Sequence, residues 1–391
     1  MSKKRSLLWI AIICNTSAMI ALTFYFMSLP WLAGDEKLLI WGSSALKFAN
    51  RELPASEDFA LINTSYDLQL IDRLDDYGFP VGQRAITDRE KLASLLSIIG
   101  RSKTPPRYVI CDIHFLDETA SDSLLNLALG QLDQVIVSYH LNNEGVAEYP
   151  IFDQINRGLS DYVIGSIFDG VYKYQLIHHD SLLLTPLKVH QELSGKEINT
   201  IGPLVALGDD WMPNNFVMNY RLLQKDIEDI EAGFNPVSMG ELLYLEEADI
   251  QEFVGGKVVV IGDFFESDMH ETLFEITSGP LILLNAYLSI AAGDTFVNVW
   301  FFILLFIAYS YLSYMVFVEG DYMETVIRKY FGAVKIANYL AGFMSYLIIL
   351  TLLSILTFSF FNVHLNVFFL AIVFYLLDKF VGYYHSIFLS K

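Results

Sequence analysis

The chain has 391 residues, 53% of them hydrophobic and 14% aromatic, with a mean hydropathy of +0.40. That is too apolar for an ordinary soluble enzyme and points to several membrane spans joined to a folded domain. The formal charge of −20 is uneven: Trp31 to Thr295 holds 17 Lys/Arg against 41 Asp/Glu, a net of −24, which argues against nucleic acid as a partner because phosphates need Lys/Arg to neutralise them.

Three positive charges in MSKKR precede the uncharged run Leu7–Leu29. About 20 apolar residues cross a bilayer core, so residues 7–29 are long enough for a first transmembrane helix. A cleaved signal peptide would want small residues before its cut, but Trp31 stands three back from the best candidate end, Ala33. The reading is therefore a retained signal anchor, with residues 1–6 cytoplasmic by the positive-inside rule. The two cysteines, Cys14 and Cys111, both lie in apolar runs, and no CxxC spacing suggests a thiolate metal site.

Residues 31–295 read as one acidic α/β domain with a mixed, partly parallel sheet. Phe59–Thr64, Tyr108–Ile113 and Val135–Ser138 are expected strands. Between them, Thr87–Gly100 has helical spacing at Leu92, Leu95, Leu96 and Ile99, with Thr87 as expected cap and Glu90 completing a capping box. Ser121–Leu132 is a second helix capped by Ser121. This alternation argues for parallel pairing. Further on, Asp161–Phe168 and Gly170–His178 suggest a hairpin, Ser181–Leu193 a helix, and Phe216–Tyr220 and Lys257–Ile261 strands. After Gly279-Pro280 comes an apolar helix, and Gly293-Asp294 ends it just before the second span.

Residues 296–318, 336–361 and 365–388 are three further apolar runs long enough to span. Between the first two, residues 319–335 form a charged connector. Met323, Ile327 and Phe331 recur there at helical spacing opposite Arg328 and Lys329, which suits a short helix on the inner leaflet, serving either as a docking point for a partner or as a plain interfacial connector. Four spans put both termini in the cytoplasm and the acidic domain outside, with every Lys/Arg-bearing connection inside. Asp378 and Lys379 lie within the fourth span, either as a Lys snorkelling to the inner face or as a buried partner contact.

Two acidic-His clusters follow buried strands: Asp112, His114, Asp117 and Glu118, then Asp263, Glu266, Asp268 and His270. Ligands in α/β sheets bind beyond the carboxyl ends of the strands, so the clusters meet there if their strands are parallel neighbours. Asp112, His114, Asp263, Asp268 and His270 are therefore candidate ligand-binding residues, with Asp263, Asp268 and His270 the weaker metal alternative. The plain structural alternative has Asp112 and Asp263 capping helices or pairing with Arg84, Arg89 or Arg107. His178-His179-Asp180 reads as a surface turn, since adjacent strand residues point opposite ways. No GxSxG, HExxH or P-loop pattern occurs, no cofactor is called for, and the reading is not an enzyme.

The whole layout, one N-terminal span, an acidic outer α/β domain and three closely spaced C-terminal spans, resembles the CHASE type 2 sensor family (cyclase- and histidine-kinase-associated, extracellular). The likeness is carried by GFPVGQRAITDREKLASLLSII, PPRYVICDIHFLDETASDSLLNLAL and GGKVVVIGDFFESDMHETLFEITSGPLILLNAYLSIAAGD. Two departures stand out. A Gly-x-x-x-His-Ala pattern common in the family before the last outer helix is replaced by Gly279-Pro280 and Asn285-Ala286, and the sequence stops at Lys391 where family members continue into an output domain. The resemblance implies a sensor or regulatory subunit in a bacterial inner membrane, its large domain periplasmic, working through a separate signalling protein. The alternatives are a scaffold subunit of an envelope complex and, more remotely, a metal-dependent periplasmic enzyme. Homo-oligomerisation is left open.

Overall fold

The computed structural model describes residues 3–29, 39–42, 44–45, 51–75, 77, 79–162, 171, 173–178, 181–318, 329 and 335–388. Its domain is organised by a seven-stranded sheet in the order β13-β1-β14-β4-β5-β6, with β7 also on β5. The strands are β1 (Phe59–Asn63), β4 (Tyr108–Asp112), β5 (Val135–Leu141), β6 (Ala147–Glu148), β7 (Arg157–Leu159), β13 (Val237–Ser238) and β14 (Val258–Gly262). All neighbours are parallel except β6, which returns antiparallel on β5. The central strands are apolar on both sides because helices cover both faces. Val259 and Ile261 pack with Leu92, Leu96, Leu125 and Ala128. Val258 and Val260, one residue out of phase, pack with Val189, Leu281, Leu284 and Leu288.

The first face is covered by helices α2 (Arg89–Gly100) and α3 (Asp122–Leu129), and the second by α4 (Thr185–Ser194) and α5 (Gly279–Ala291). Two expected caps are corrected. Asp88, not Thr87, caps α2, accepting from Glu90 N and Lys91 N at 3.1 Å, because a carboxylate one residue nearer the helix reaches both N–H groups. Ser121 makes no capping bond. Asp122 instead accepts from Thr119 N at 2.6 Å and Thr119 Oγ1 at 2.8 Å, closing the turn that starts α3.

The stretch GFPVGQRAIT lies largely in a hairpin, β2 (Leu68–Leu74) with β3 (Pro80–Thr87), that pairs with no strand of the main sheet. The expected hairpin over Asp161–His178 falls largely on residues 163–170, which lie outside the described residues; its described part, β8 (Lys173–Gln175), pairs antiparallel with the distant β12 (Asn215–Val217). A three-stranded antiparallel sheet, β9 (Ile198–Ile201), β10 (Leu204–Leu207) and β11 (Asp210–Pro213), completes this second layer.

Helix α5 is the pivot. Gly279 to Ile290 are all buried. An apolar helix without a polar face must be covered all round, and α5 is: Leu281, Leu284 and Leu288 meet the sheet, while Ile282, Ala286 and Ile290 meet a second core built from β8, β10 and β12. Its one buried amide is satisfied. Asn285 Oδ1 accepts from Arg221 N at 2.8 Å and Leu222 N at 2.9 Å, and Asn285 Nδ2 donates to Leu222 O and Leu281 O.

Four described helices are long and apolar enough to cross a membrane: Arg5–Ser28, Val299–Phe317, Ala341–Phe361 and Val367–Tyr384. They belong to α1 (Lys3–Ser28), α6 (Val299–Phe317), α7 (Lys335–Phe361) and α8 (Val367–Phe388). Polar side chains link α1 to α6: Asn15 donates to Ser313 at 2.8 Å, and the hydroxyls of Thr23 and Tyr309 lie 2.7 Å apart. Small polar groups of this kind hold helices together where lipid gives no hydrophobic drive.

Candidate functional site

β14 and β4 are parallel neighbours, with Gly262 in register with Asp112. The two acidic-His clusters therefore do meet, at the carboxyl ends of the strands. They line two adjoining cavities of about 270 Å3 and about 330 Å3, which share Asp112, His140 and Asp268. Asp112, Asp268 and His270 line the first with His140, Asp161, Tyr162 and Tyr174. His114 and Asp263 line the second.

Asp112 is the centre of the first cavity. Burial raises its pKa, the charge of Asp268 raises it further, and a hydrogen bond from Ser138 with the charges of His140 and His270 pulls the other way; the net result is about 7. Ser138 in turn accepts from Ser160 Oγ at 2.6 Å. Around Asp112 stand two carboxylate–imidazole pairs. His140 Nδ1 lies 2.8 Å from Asp161 Oδ1, and His270 Nε2 lies 2.7 Å from Asp268 Oδ1. Burial works against a charge on His140, but Asp161, Asp112 and Asp268 outweigh it and raise its pKa. His270 Nδ1 is hydrogen-bonded to the hydroxyl of Tyr162, so phenol, imidazole and carboxylate form a chain. Burial, then the charges of Asp268, Asp161 and Asp112, raise the Tyr162 pKa, which keeps it a phenol.

The remaining sequence candidates have other partners. Asp263 is a loop anchor: it accepts from Phe265 N, Glu266 N and Ser267 N at 2.8–3.0 Å and from the hydroxyls of Ser267 and Ser65. These donors overcome its burial and lower its pKa to about 2. His114 lies edge-on to His140, ring centroids 4.9 Å apart, with Nε2 3.2 Å from Glu148 O, and burial lowers its pKa. Of the three arginines expected beside Asp112 or Asp263, two bond elsewhere: Arg84 with Asp117 at 3.2 Å and Arg89 with Asp122. Among the described residues no three His, Cys, Asp or Glu side chains are grouped to hold a metal. His179 and Asp180 lie outside the described residues.

Sequence reasoning missed His140, Asp161, Tyr162 and Tyr174. His140 was within reach of the same rule that found Asp112, since it follows the buried run of β5. The others follow β7 or lie on β8, elements too short to announce themselves.

In the apolar helix α8, Lys379 Nζ lies 3.8 Å from Asp378 Oδ2 and 5.1 Å from the Tyr375 ring centroid. Of the docking candidates, Lys329 is exposed, and Met323, Ile327, Arg328 and Phe331 lie outside the described residues.

Comparison with protein families, curated proteins and solved structures finds no match to this chain.

Proposed function

We propose that this chain is a multi-pass inner-membrane sensor or regulatory subunit of the CHASE type 2 kind. Its periplasmic domain binds a ligand between Asp112, His140, Asp268 and His270 and passes the state through its membrane helices to a separate partner. One observation carries the reading: helix α5 begins in the cleft and ends at the membrane helices. Gly279 and Leu283 line the cavity. At the far end Asp294 pairs with Arg221 at 2.7 Å, Val297 N donates to Trp211 O at 2.7 Å, and Asn298 caps α6. A displacement at the cleft thus has a packed, continuous element through which to reach a span.

Burial and the carboxylates around Tyr162 disfavour its phenolate, so it serves as a hydrogen-bond donor rather than a nucleophile. The test is a mild-detergent pull-down of the intact protein from its native membrane, followed by mass spectrometry. A co-purifying kinase or cyclase supports the reading. A stoichiometric envelope complex without a signalling enzyme overturns it.

A scaffold role is the second reading, and the β2–β3 hairpin favours it. Leu68, Leu70, Phe79 and Val81 are all exposed there, on a ribbon standing off the main sheet.

A further inference from the structure

We infer that the cleft takes a small amine that also carries a hydrogen-bond acceptor, an amino alcohol being the simplest of the class. The ammonium faces Asp112 and Asp268, the carbon stem lies against Tyr162 and Leu283, and the acceptor meets the hydroxyl of Tyr174. This rests on the reading of the cleft as the ligand site.

Three observations point the same way. The first is Tyr174 itself. It lines the cavity and is 0% exposed, yet its hydroxyl has no hydrogen-bond partner among the described residues. A buried phenol without a partner is costly, and a ligand acceptor would relieve the cost. Burial holds its pKa well above the ordinary 10, so it remains a donor.

The second is charge. Asp112, Asp161 and Asp268 line the cavity, and its described lining includes no Lys or Arg. The two imidazoles are already held by Asp161 and Asp268. The only cationic groups in that lining are the two imidazoles, each paired with its own carboxylate, so an ammonium that takes the place of the Asp112 proton is accommodated where an anion would add to the negative charge.

The third is the walls. Tyr162 and Tyr174 stand edge to face with centroids 6.4 Å apart. Aromatic rings beside carboxylates are the surroundings that favour an organic cation. The cavity volume of about 270 Å3 limits the ligand to a small one.

The experiment is calorimetry on the full-length protein in detergent near neutral pH, with 3-aminopropanol, propylamine, propanediol and calcium chloride as probes. 3-Aminopropanol binds tightest, propylamine is roughly 10-fold weaker, and propanediol is weaker still. Binding releases protons, seen as a buffer-dependent heat, because the ammonium displaces the Asp112 proton. Asp112→Asn weakens 3-aminopropanol by roughly 10- to 100-fold. Tyr174→Phe removes the preference over propylamine, and a melting temperature that holds or rises, as loss of an unpartnered buried hydroxyl allows, shows that the ring still packs. Tighter binding of propanediol or calcium, no amine binding, or equal affinity in Asp112→Asn overturns the inference. So does a Tyr174→Phe variant that still prefers 3-aminopropanol. Repeating the pull-down with 3-aminopropanol separates the two proposals. Binding without any change in partner recovery sinks transmission and leaves the ligand class standing. An Asp112→Asn variant that alters partner recovery while no amine binds does the reverse.

Discussion

The main-chain N–H of Gly279 donates to the carbonyl of Asp268 at 2.8 Å, and a Cβ at position 279 would overlap the Asp268 carboxylate. The loop carrying Asp268 and His270 is therefore seated directly on the first turn of α5. Gly279→Ala is expected to push Asp268 off His270 and to cost about 1–3 kcal/mol, the usual range for overpacking. Adding Asp268→Ala should recover part of that loss, because the clash is with its side chain. Thermal unfolding of both variants and the double variant measures the coupling. Strict additivity would mean that the two residues do not press on each other.

Stability should fall as pH rises from about 4 to about 7. Asp112 keeps its proton in the folded chain to about pH 7, while the unfolded carboxyl loses it near 3.8. Between those limits the folded state binds more protons, so raising the pH favours unfolding. His140 acts in the same direction at higher pH, since its raised pKa adds stability that is complete below 6.5 and lost above its folded value. His114 opposes them: its lowered pKa means stability lost as pH falls below 6.5. Denaturation across this range should show a shallower slope in Asp112→Asn than in the natural protein. Parallel slopes would remove Asp112 as the source.

Asp263 sets the acid limit. Its pKa of about 2 means that its contribution is present above 3.8 and disappears as pH falls through 2. Asp263→Ala removes the acceptor that ties three backbone N–H groups and two hydroxyls together at the end of β14; Phe265 N and the Ser65 hydroxyl keep Ser65 Oγ and Asn63 Oδ1 as partners, so about 1–3 kcal/mol of stability should be lost. The amine probes should still bind a folded Asp263→Ala, since the carboxylate does not line the first cavity. Loss of binding at full stability would place Asp263 in the ligand site after all.

What was legible in the sequence follows from period and length. Phe59–Asn63, Tyr108–Asp112 and Val258–Gly262 are continuous apolar runs closed by polar residues, and each proved to be a central parallel strand. The meeting of Asp112 with Asp268 and His270 could only be stated as a condition, because nothing local tells β14 to insert between β1 and β4. The β2–β3 hairpin was hidden for a different reason. Leu70, Phe79 and Val81 are apolar but exposed, so its pattern does not report a buried face. Tyr174 became visible only through the pairing of β8 with β12, some 40 residues away, a separation that no sequence window covers.

The orientation of the domain is testable with single cysteines. An impermeant maleimide needs an exposed thiol, and the natural background is small: Cys111 is buried, and Cys14, though exposed, lies within the apolar helix α1. Glu144 is exposed in the turn between β5 and β6, on the face expected outside. Lys329 is exposed in the connector expected inside. By the positive-inside rule Arg5 and the connector are expected on the same, cytoplasmic side. In intact cells Glu144→Cys should therefore be labelled and Lys329→Cys should not, and permeabilisation should expose both. The helices themselves are long enough: α1, at 26 residues, spans about 39 Å at 1.5 Å per residue, against a hydrocarbon core of about 30 Å. The opposite pattern would put the cleft in the cytoplasm and remove any role for an external ligand. Equal labelling before permeabilisation would mean that the four apolar helices do not enclose the connector on one side at all.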